Sequence, residues 1–357
     1  MYEPYSHIEV LWSAYKLVKD VLHVEPREEV VVTYDTRSDM RVVEAIASAV
    51  RLVGGKPLLV GFEAQPGVGR AAEAGLPVRC LEAVLSNADV WIEVNTTWLL
   101  YSRVYESVLA SLKARYICLV GLNASMLVRL VGWANIEAIL EFQRRLASIT
   151  AKAKRFRITS PSGMDVEFEN DPSRPVFVEG EVKGPGEYML FGQVDWAPIE
   201  ESINGVIVFD GSIYPPIGKL SAPVTLEVER GRVKNITGGI EASKFKSWLE
   251  SLNDPKMFMI AHISYGCHPH AILSGNIVED ERVWGVVEWG LGSQSPGFKG
   301  SVGSAKSHTD GVCLRPTVWA DGVKVIEDGE YVHPELKPLV PKVKQVVGYP
   351  QSISTES

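Results

Sequence analysis

The chain has no pair of cysteines close enough for a C-x-x-C motif. Its four cysteines, Cys80, Cys118, Cys267 and Cys313, are scattered, which excludes a zinc ribbon or a thioredoxin-type dithiol and predicts buried thiols. Cys267 and Cys313 flank a group of histidines, but no neighbouring sequence feature lowers a thiol pKa, as a nucleophilic role would need. Positive charge is not in surplus either. Thirty-six Lys and Arg stand against 44 Asp and Glu, a net charge of −8, which argues against a nucleic-acid partner. No apolar run approaches the ~20 residues that span a bilayer, so no membrane partner is expected. The opening MYEPYSHIEVLW lacks the basic and apolar regions of a signal peptide, so a cytoplasmic location is expected. GVGRAAEAG lacks the lysine of a phosphate loop, and no nucleotide fingerprint occurs.

What remains is an ordinary globular composition, 46% hydrophobic and 22% charged over 357 residues. That length exceeds what one core usually organises and predicts two domains. In the first half, EEVVVTYD (28–35), KPLLVGF (56–62), DVWIEV (89–94) and RYICLVG (115–121) read as strands. Amphipathic stretches separate them: MRVVEAIASAVRLVGG, stopped by Gly54-Gly55, then helices near 81–86 and 104–112. Strand and helix alternating at this spacing predict a parallel sheet with flanking helices. A long helix over 136–152 closes the α/β domain, 1–152.

Beyond it the period changes from helical to alternating. FRITSPSGMDVEFEN, INGVIVFDG, APVTLEVERGRVKNITGG and WADGVKVIEDGEYV alternate apolar and polar residues between turns, which predicts antiparallel hairpins. GKLSAP and GPGEY read as turns, and a helix is expected at about 243–252. The expectation is a β-rich α+β C-terminal domain over 153–345 that holds a metal, with a tail at 346–357. LWSAYKLVKDVL reads as an amphipathic helix used in packing.

Four of the seven histidines, His262, His268, His270 and His308, fall within 47 residues of the second half. KSHTDGV puts His308 and Asp310 two apart, and on an extended segment both side chains share a face. His262 follows the apolar KMFMI. His268 and His270 bracket Pro269 in a loop. Glu288 sits in the apolar VWGVVEWGLGSQSP, where a carboxylate must be paired, protonated or bound to metal. Two histidines and one carboxylate on one face suit non-haem Fe(II) with open positions; three such ligands and a water also suit catalytic zinc. The competing reading is that a His-x-Asp arises by chance and that a buried histidine is only hydrogen-bonded.

ITSPSGMDV, INGVIVFDGSIYPP, NITGGIEA, NDPKMFMIAHISYG and SHTDG occur in this order over most of the chain. In this the sequence resembles the superfamily of aminopeptidase T-like metallopeptidases and 2,5-dihydroxypyridine 5,6-dioxygenases, more closely the dioxygenase branch. That resemblance implies one Fe(II) held by His262, His308 and Asp310, with Glu288, His268 or His270 as acid or base. It implies a ring-cleaving dioxygenase acting on a hydroxylated aromatic or heteroaromatic small molecule, and a homo-oligomer, most simply a homodimer, joined through the β-rich halves. Histidines that this branch uses near its substrate have no match; Thr96, Thr97, Trp98, Glu187 and Tyr188 stand in those regions.

The peptidase branch implies instead a leucyl-type metallo-aminopeptidase using Zn, Co or Mn. Its two-metal site takes two glutamates, two histidines and an aspartate, of which only His308 and Asp310 are retained. Gln193 and His262 replace the two glutamates, and Glu288 replaces a histidine. A neutral Gln193 is a poor bridge between two dications. A non-catalytic binding relative with the same fold is the third reading.

Overall fold

The computed structural model describes residues 7–347. The tail expected at 346–357 therefore lies, apart from Val346 and Val347, outside the described residues. The first half holds a five-stranded, wholly parallel sheet. Its strands are β1 (Glu29–Asp35), β2 (Lys56–Phe62), β3 (Val90–Glu93), β4 (Arg115–Cys118) and β5 (Gly186–Met189). Their order is β2-β1-β3-β4-β5. The central β3 is buried throughout, as a strand covered on both faces must be, and so it lacks the alternation of a half-exposed strand. The helix Met40–Leu52 begins where the Asp39 side chain accepts from the Arg41 backbone N–H. The closing helix runs over Ile136–Lys152, as its periodicity predicts.

β5 comes from beyond residue 152. GPGEY reads as a turn in the sequence, yet Gly186–Met189 lies parallel to β4, Arg115 opposite Gly186. A four-residue strand is too short to show a period, and only the open edge of β4 recruits it. The α/β sheet is thus completed by the second half of the chain.

That second half is built from two antiparallel sheets. The eight-stranded one runs in the order Arg232–Gly238, Val224–Glu229, Asn204–Phe209, Asp165–Glu169, Arg155–Thr159, Thr317–Ala320, Val323–Glu327, Glu330–Tyr331. The seven-stranded one contains β6 (Gln193–Trp196), β7 (Ile260–Gly266), β8 (Val287–Gly292) and β9 (His308–Cys313). Across it the order is Gly218–Lys219, Ser212–Tyr214, β9, β8, β7, β6, Val176–Val178.

The two faces of β7, β8 and β9 have opposite duties. One face carries Tyr265, Trp289 and, from β6, Trp196. These pack on the eight-stranded sheet, Trp289 on Phe168 at 5.6 Å and Trp196 on Phe156 at 5.9 Å between ring centres. Gly311, bare on this face, lets the Phe209 ring lie against the backbone. The other face looks toward the α/β half, and there the chemistry-bearing residues collect. No helix among the described residues is long and apolar enough to cross a membrane.

Candidate metal centre and its cavity

Strand register assembles the site. His262 on β7 lies opposite Gly290 on β8, which lies opposite Asp310 on β9. One step along, Ser264 lies opposite both Glu288 and Asp195. Because side chains alternate along a strand, His262, Ser264, Glu288, Asp310 and His308 share one face. The ligand atoms that His262, His308 and Asp310 offer all lie within 4.8 Å of one another, and all three residues are buried.

Each side chain is held in place by a nameable contact. His308 Nδ1 is 2.7 Å from the Ser293 carbonyl. A carbonyl can only accept, so Nδ1 carries the proton and Nε2 is turned toward Asp310 Oδ1, also 2.7 Å away. The His262 ring stacks between Phe298 and His308, with centre distances of 5.4 and 5.2 Å. Its Nε2 stands 3.7 Å from Asp310 Oδ1 and 3.3 Å from Glu288 Oε2, and its Nδ1 has no hydrogen-bond partner.

The electrostatics follow from burial and proximity. Burial, then the neighbouring His308, pushes the His262 pKa down to about 4, so His262 is neutral and its lone pair is free. Burial also opposes protonation of His308, but the Asp310 carboxylate and the Ser293 carbonyl outweigh it and raise its pKa. Asp310 is likewise penalised by burial, yet the charge and hydrogen bond of His308 hold its pKa below the usual value. A positive charge between Nε2 and Oδ1, a proton or a metal cation, is therefore favoured. Metal–donor bonds of ~2.1 Å at right angles put neighbouring donors ~3 Å apart, and the 2.7 and 3.7 Å spacings straddle that value. The donor set fits one metal ion.

Glu288 lies beside this group without lining the cavity. Burial, then the Asp310 charge, drives its carboxyl pKa well up. Its Oε2 accepts from Ser264 Oγ at 2.8 Å, and Ser264 Oγ in turn accepts from Gln193 Nε2 at 3.0 Å. His268 and His270 stand elsewhere. His268 Nε2 donates to the Leu130 carbonyl at 2.8 Å, and His270 packs edge-on against Trp133. Neither lines the cavity.

The cavity itself occupies about 440 Å³ between the seven-stranded sheet and the α/β half. His262, His308 and Asp310 line it, with Gln193 and Asp195 from β6. Glu187 and Met189 come from β5, and the loop after β3 contributes Trp98, Leu100 and Tyr101. That loop leaves the carboxyl end of a parallel strand, the end at which such sheets bind ligands. Two buried carboxylates fold it. Asp35 Oδ2 accepts from the Thr96 and Thr97 backbone at 2.7 and 2.8 Å, and Glu93 Oε1 accepts from the Leu99 N–H at 2.5 Å. Tyr101 is thereby set 4.9 Å from the His308 ring. Sequence reading misses Tyr101, Glu179, Asp195, Glu281 and Phe298. An acid flanked by apolar residues, as in VDW and MLFGQVDW, is the only signal that could have pointed to Asp195.

A largely apolar, concave cavity floored by two imidazoles and a carboxylate has the form of a ligand-binding site. The chain belongs to the 2,5-dihydroxypyridine 5,6-dioxygenase family, whose sequence model matches residues 11–333. A 2,5-dihydroxypyridine 5,6-dioxygenase of Pseudomonas putida KT2440 is 29% identical over 128 residues, 35% of this chain and 37% of that relative. The solved structure of 2,5-dihydroxypyridine dioxygenase from the same strain aligns with a TM-score of 0.76 at 22% identity. It covers 93% of this chain and 99% of that one. Wild-type AmpT from Thermus thermophilus aligns with a TM-score of 0.64 at 12% identity, covering 91% and 99%. At these identities the two structures establish the fold.

Proposed function

We propose that this chain is a mononuclear non-haem Fe(II) dioxygenase that opens a hydroxylated aromatic or heteroaromatic ring, with 2,5-dihydroxypyridine as the reference substrate. The observation that carries the reading is the cross-strand trio His262, His308 and Asp310 at the floor of an aromatic-walled cavity. These three residues would hold the metal, a two-histidine, one-carboxylate set that leaves coordination positions open. Fe(II) held there would supply electron transfer between a bound ring and dioxygen.

The protein's own groups prepare that site. Ser293 fixes the His308 tautomer and leaves Nε2 as the donor. Phe298 and His308 clamp the His262 ring on its two sides. Burial drives the Glu288 carboxyl pKa well up, and Glu288 hydrogen-bonds to Asp310, so it is the group assigned to hold and return a proton beside the metal floor. Trp98, Leu100, Phe177 and Phe298 exclude water from the ring. His268 and His270, turned to Leu130 and Trp133, receive no role. The enzyme is proposed to work as a twofold homo-oligomer.

The test is anaerobic reconstitution with Fe(II), followed by oxygen-electrode and spectrophotometric assays on hydroxylated pyridines and benzenes. Oxygen uptake coupled to loss of ring absorbance is expected, with no amino acid released from di- or tripeptides in Zn, Co or Mn. Chelator-sensitive hydrolysis of aminoacyl substrates, restored by zinc or cobalt, would overturn the assignment.

A further inference from the structure

Five carboxyl side chains line the cavity, Glu179, Glu187, Asp195, Glu281 and Asp310, and no lysine or arginine lines it. Four of the five have an internal answer to their charge. Asp310 faces His308. Glu281 is bonded by the buried Arg282 guanidinium. Glu179 and Asp195 hydrogen-bond to each other, which requires a shared proton, and burial raises the pKa of both. Asp195 Oδ1 is nonetheless buried with no hydrogen-bond partner.

Glu187 has no cation bonded to it; burial raises its pKa, against the Tyr105 and Ser295 hydrogen bonds and the charge of His308. Tyr105 Oη and Ser295 Oγ both donate to its Oε2, at 2.5 and 2.9 Å. Those neutral donors stabilise a carboxylate without cancelling its charge. Its Oε1 has no protein hydrogen-bond partner among the described residues, and the side chain opens on the cavity. A carboxylate set in an apolar wall without a counter-ion is costly.

We propose that the molecule bound in this cavity carries a cationic amine on its ring or on a short arm, and that Glu187 selects it. The inference rests on the ring-opening reading above and deepens it by naming the substrate's charge. Glu187 stands on β5, in the sheet facing the one that carries His262 and Asp310. Tyr105 and Tyr101 bridge from it to His308, with ring centres 5.8 and 4.9 Å apart. The ring hydroxyls then lie at the metal floor, and the ammonium lies at Glu187, with the proton-sharing Glu179–Asp195 pair lining the same cavity. Trp98, Tyr101 and Phe177 supply aromatic faces that favour an ammonium by cation–π attraction. A second metal fits less well. No three-donor group other than His262, His308 and Asp310 occurs among the described residues. A ring bearing a carboxylate would meet like charge on two sides.

The test is calorimetric titration of the full-length, metal-loaded protein under argon with two probe sets. The chelating set is 4-(2-aminoethyl)catechol, 4-methylcatechol and 3,4-dihydroxyphenylacetate; the non-chelating set is 2-phenylethylamine and phenylacetate. Each amine is expected to bind about tenfold or more tightly than its neutral or anionic counterpart, the scale of one well-placed charge pair. Glu187→Gln, which keeps the shape, is expected to erase that preference. A neutral or carboxylate probe bound as tightly as the amine, or a preference unchanged in Glu187→Gln, would overturn the proposal. Catechols that fail to bind while 2-phenylethylamine keeps its Glu187-dependent advantage would remove the ring-diol reading and leave the amine preference standing.

Discussion

The His262 imidazole occupies the space that a side chain at Gly290 would fill. A Cβ at Gly290 would overlap the ring, lying 2.8 Å from Nε2 and closer still to Cε1 and Nδ1. Gly290 sits between His262 and Asp310 in the register, so its missing side chain is what lets the ring cross β8 toward β9. Gly290→Ala is expected to displace the ring, cost about 1–3 kcal/mol through overpacking, and abolish most metal uptake. Thermal unfolding and metal analysis of the purified variant check it; undiminished metal content would show that His262 reaches the metal by another path.

Metal stoichiometry tests the donor set directly. One ion per chain is expected in protein purified without oxygen and without a His-tag. His308→Ala is expected to weaken binding by more than about a hundredfold, beyond what loss of a supporting contact causes, with an unchanged far-ultraviolet spectrum. Two equivalents of zinc in the native protein would refute the single-metal centre.

His268 carries a separate pH signature. Burial, only partly opposed by its bond to the Leu130 carbonyl, lowers its pKa to about 3. Below about pH 6.5 the unfolded chain gains a proton that the folded ring refuses, so its contribution to stability falls as pH drops from 6.5 toward 3. The slope is on the order of 1.4 kcal/mol per pH unit. His268→Gln is expected to flatten denaturation midpoints between pH 6 and 4 while leaving metal content intact. Loss of metal or of oxygen uptake in this variant would give His268 a role at the site.

Gln193 gives a test of the dioxygenase reading against the peptidase one. Its Nε2 donates to Ser264, which donates to Glu288. Gln193→Glu puts an anion beside Ser264 and leaves Glu288 in place. No aminopeptidase activity is expected with Zn, Co or Mn, and a fluorogenic leucyl substrate assays it. Hydrolysis by this single variant would mean that the two-metal site lies one substitution away.

Association is expected as a twofold homodimer or a higher homo-oligomer. Multi-angle light scattering at micromolar concentration decides it, and a monomer mass would refute the assembly.

Local pattern made much of this molecule legible. β1, β2 and the helix Ile136–Lys152 fall where their patterning puts them, because each is long enough to declare itself, while β3 and β4 show as short apolar runs between helices. His308 and Asp310 were readable as a pair because alternate residues of a strand share a face. His268 and His270 were misleading for the same local reason. Two histidines beside a third suggest chemistry, but a sequence does not say which way a loop turns, and this one turns into the packing around Leu130 and Trp133.

What the sequence determined alone was the change from helical to alternating period, the His-x-Asp pair, and the family motifs in order. Tertiary structure decided the rest, because it depends on contacts between distant residues. Strand register placed His262 across a bare Gly290 from Asp310, 48 residues later in the chain. The open edge of β4 took up Gly186–Met189 and carried Glu187 into the cavity wall. Neither outcome has a local signature, since each residue's meaning is set by the partner the fold brings to it.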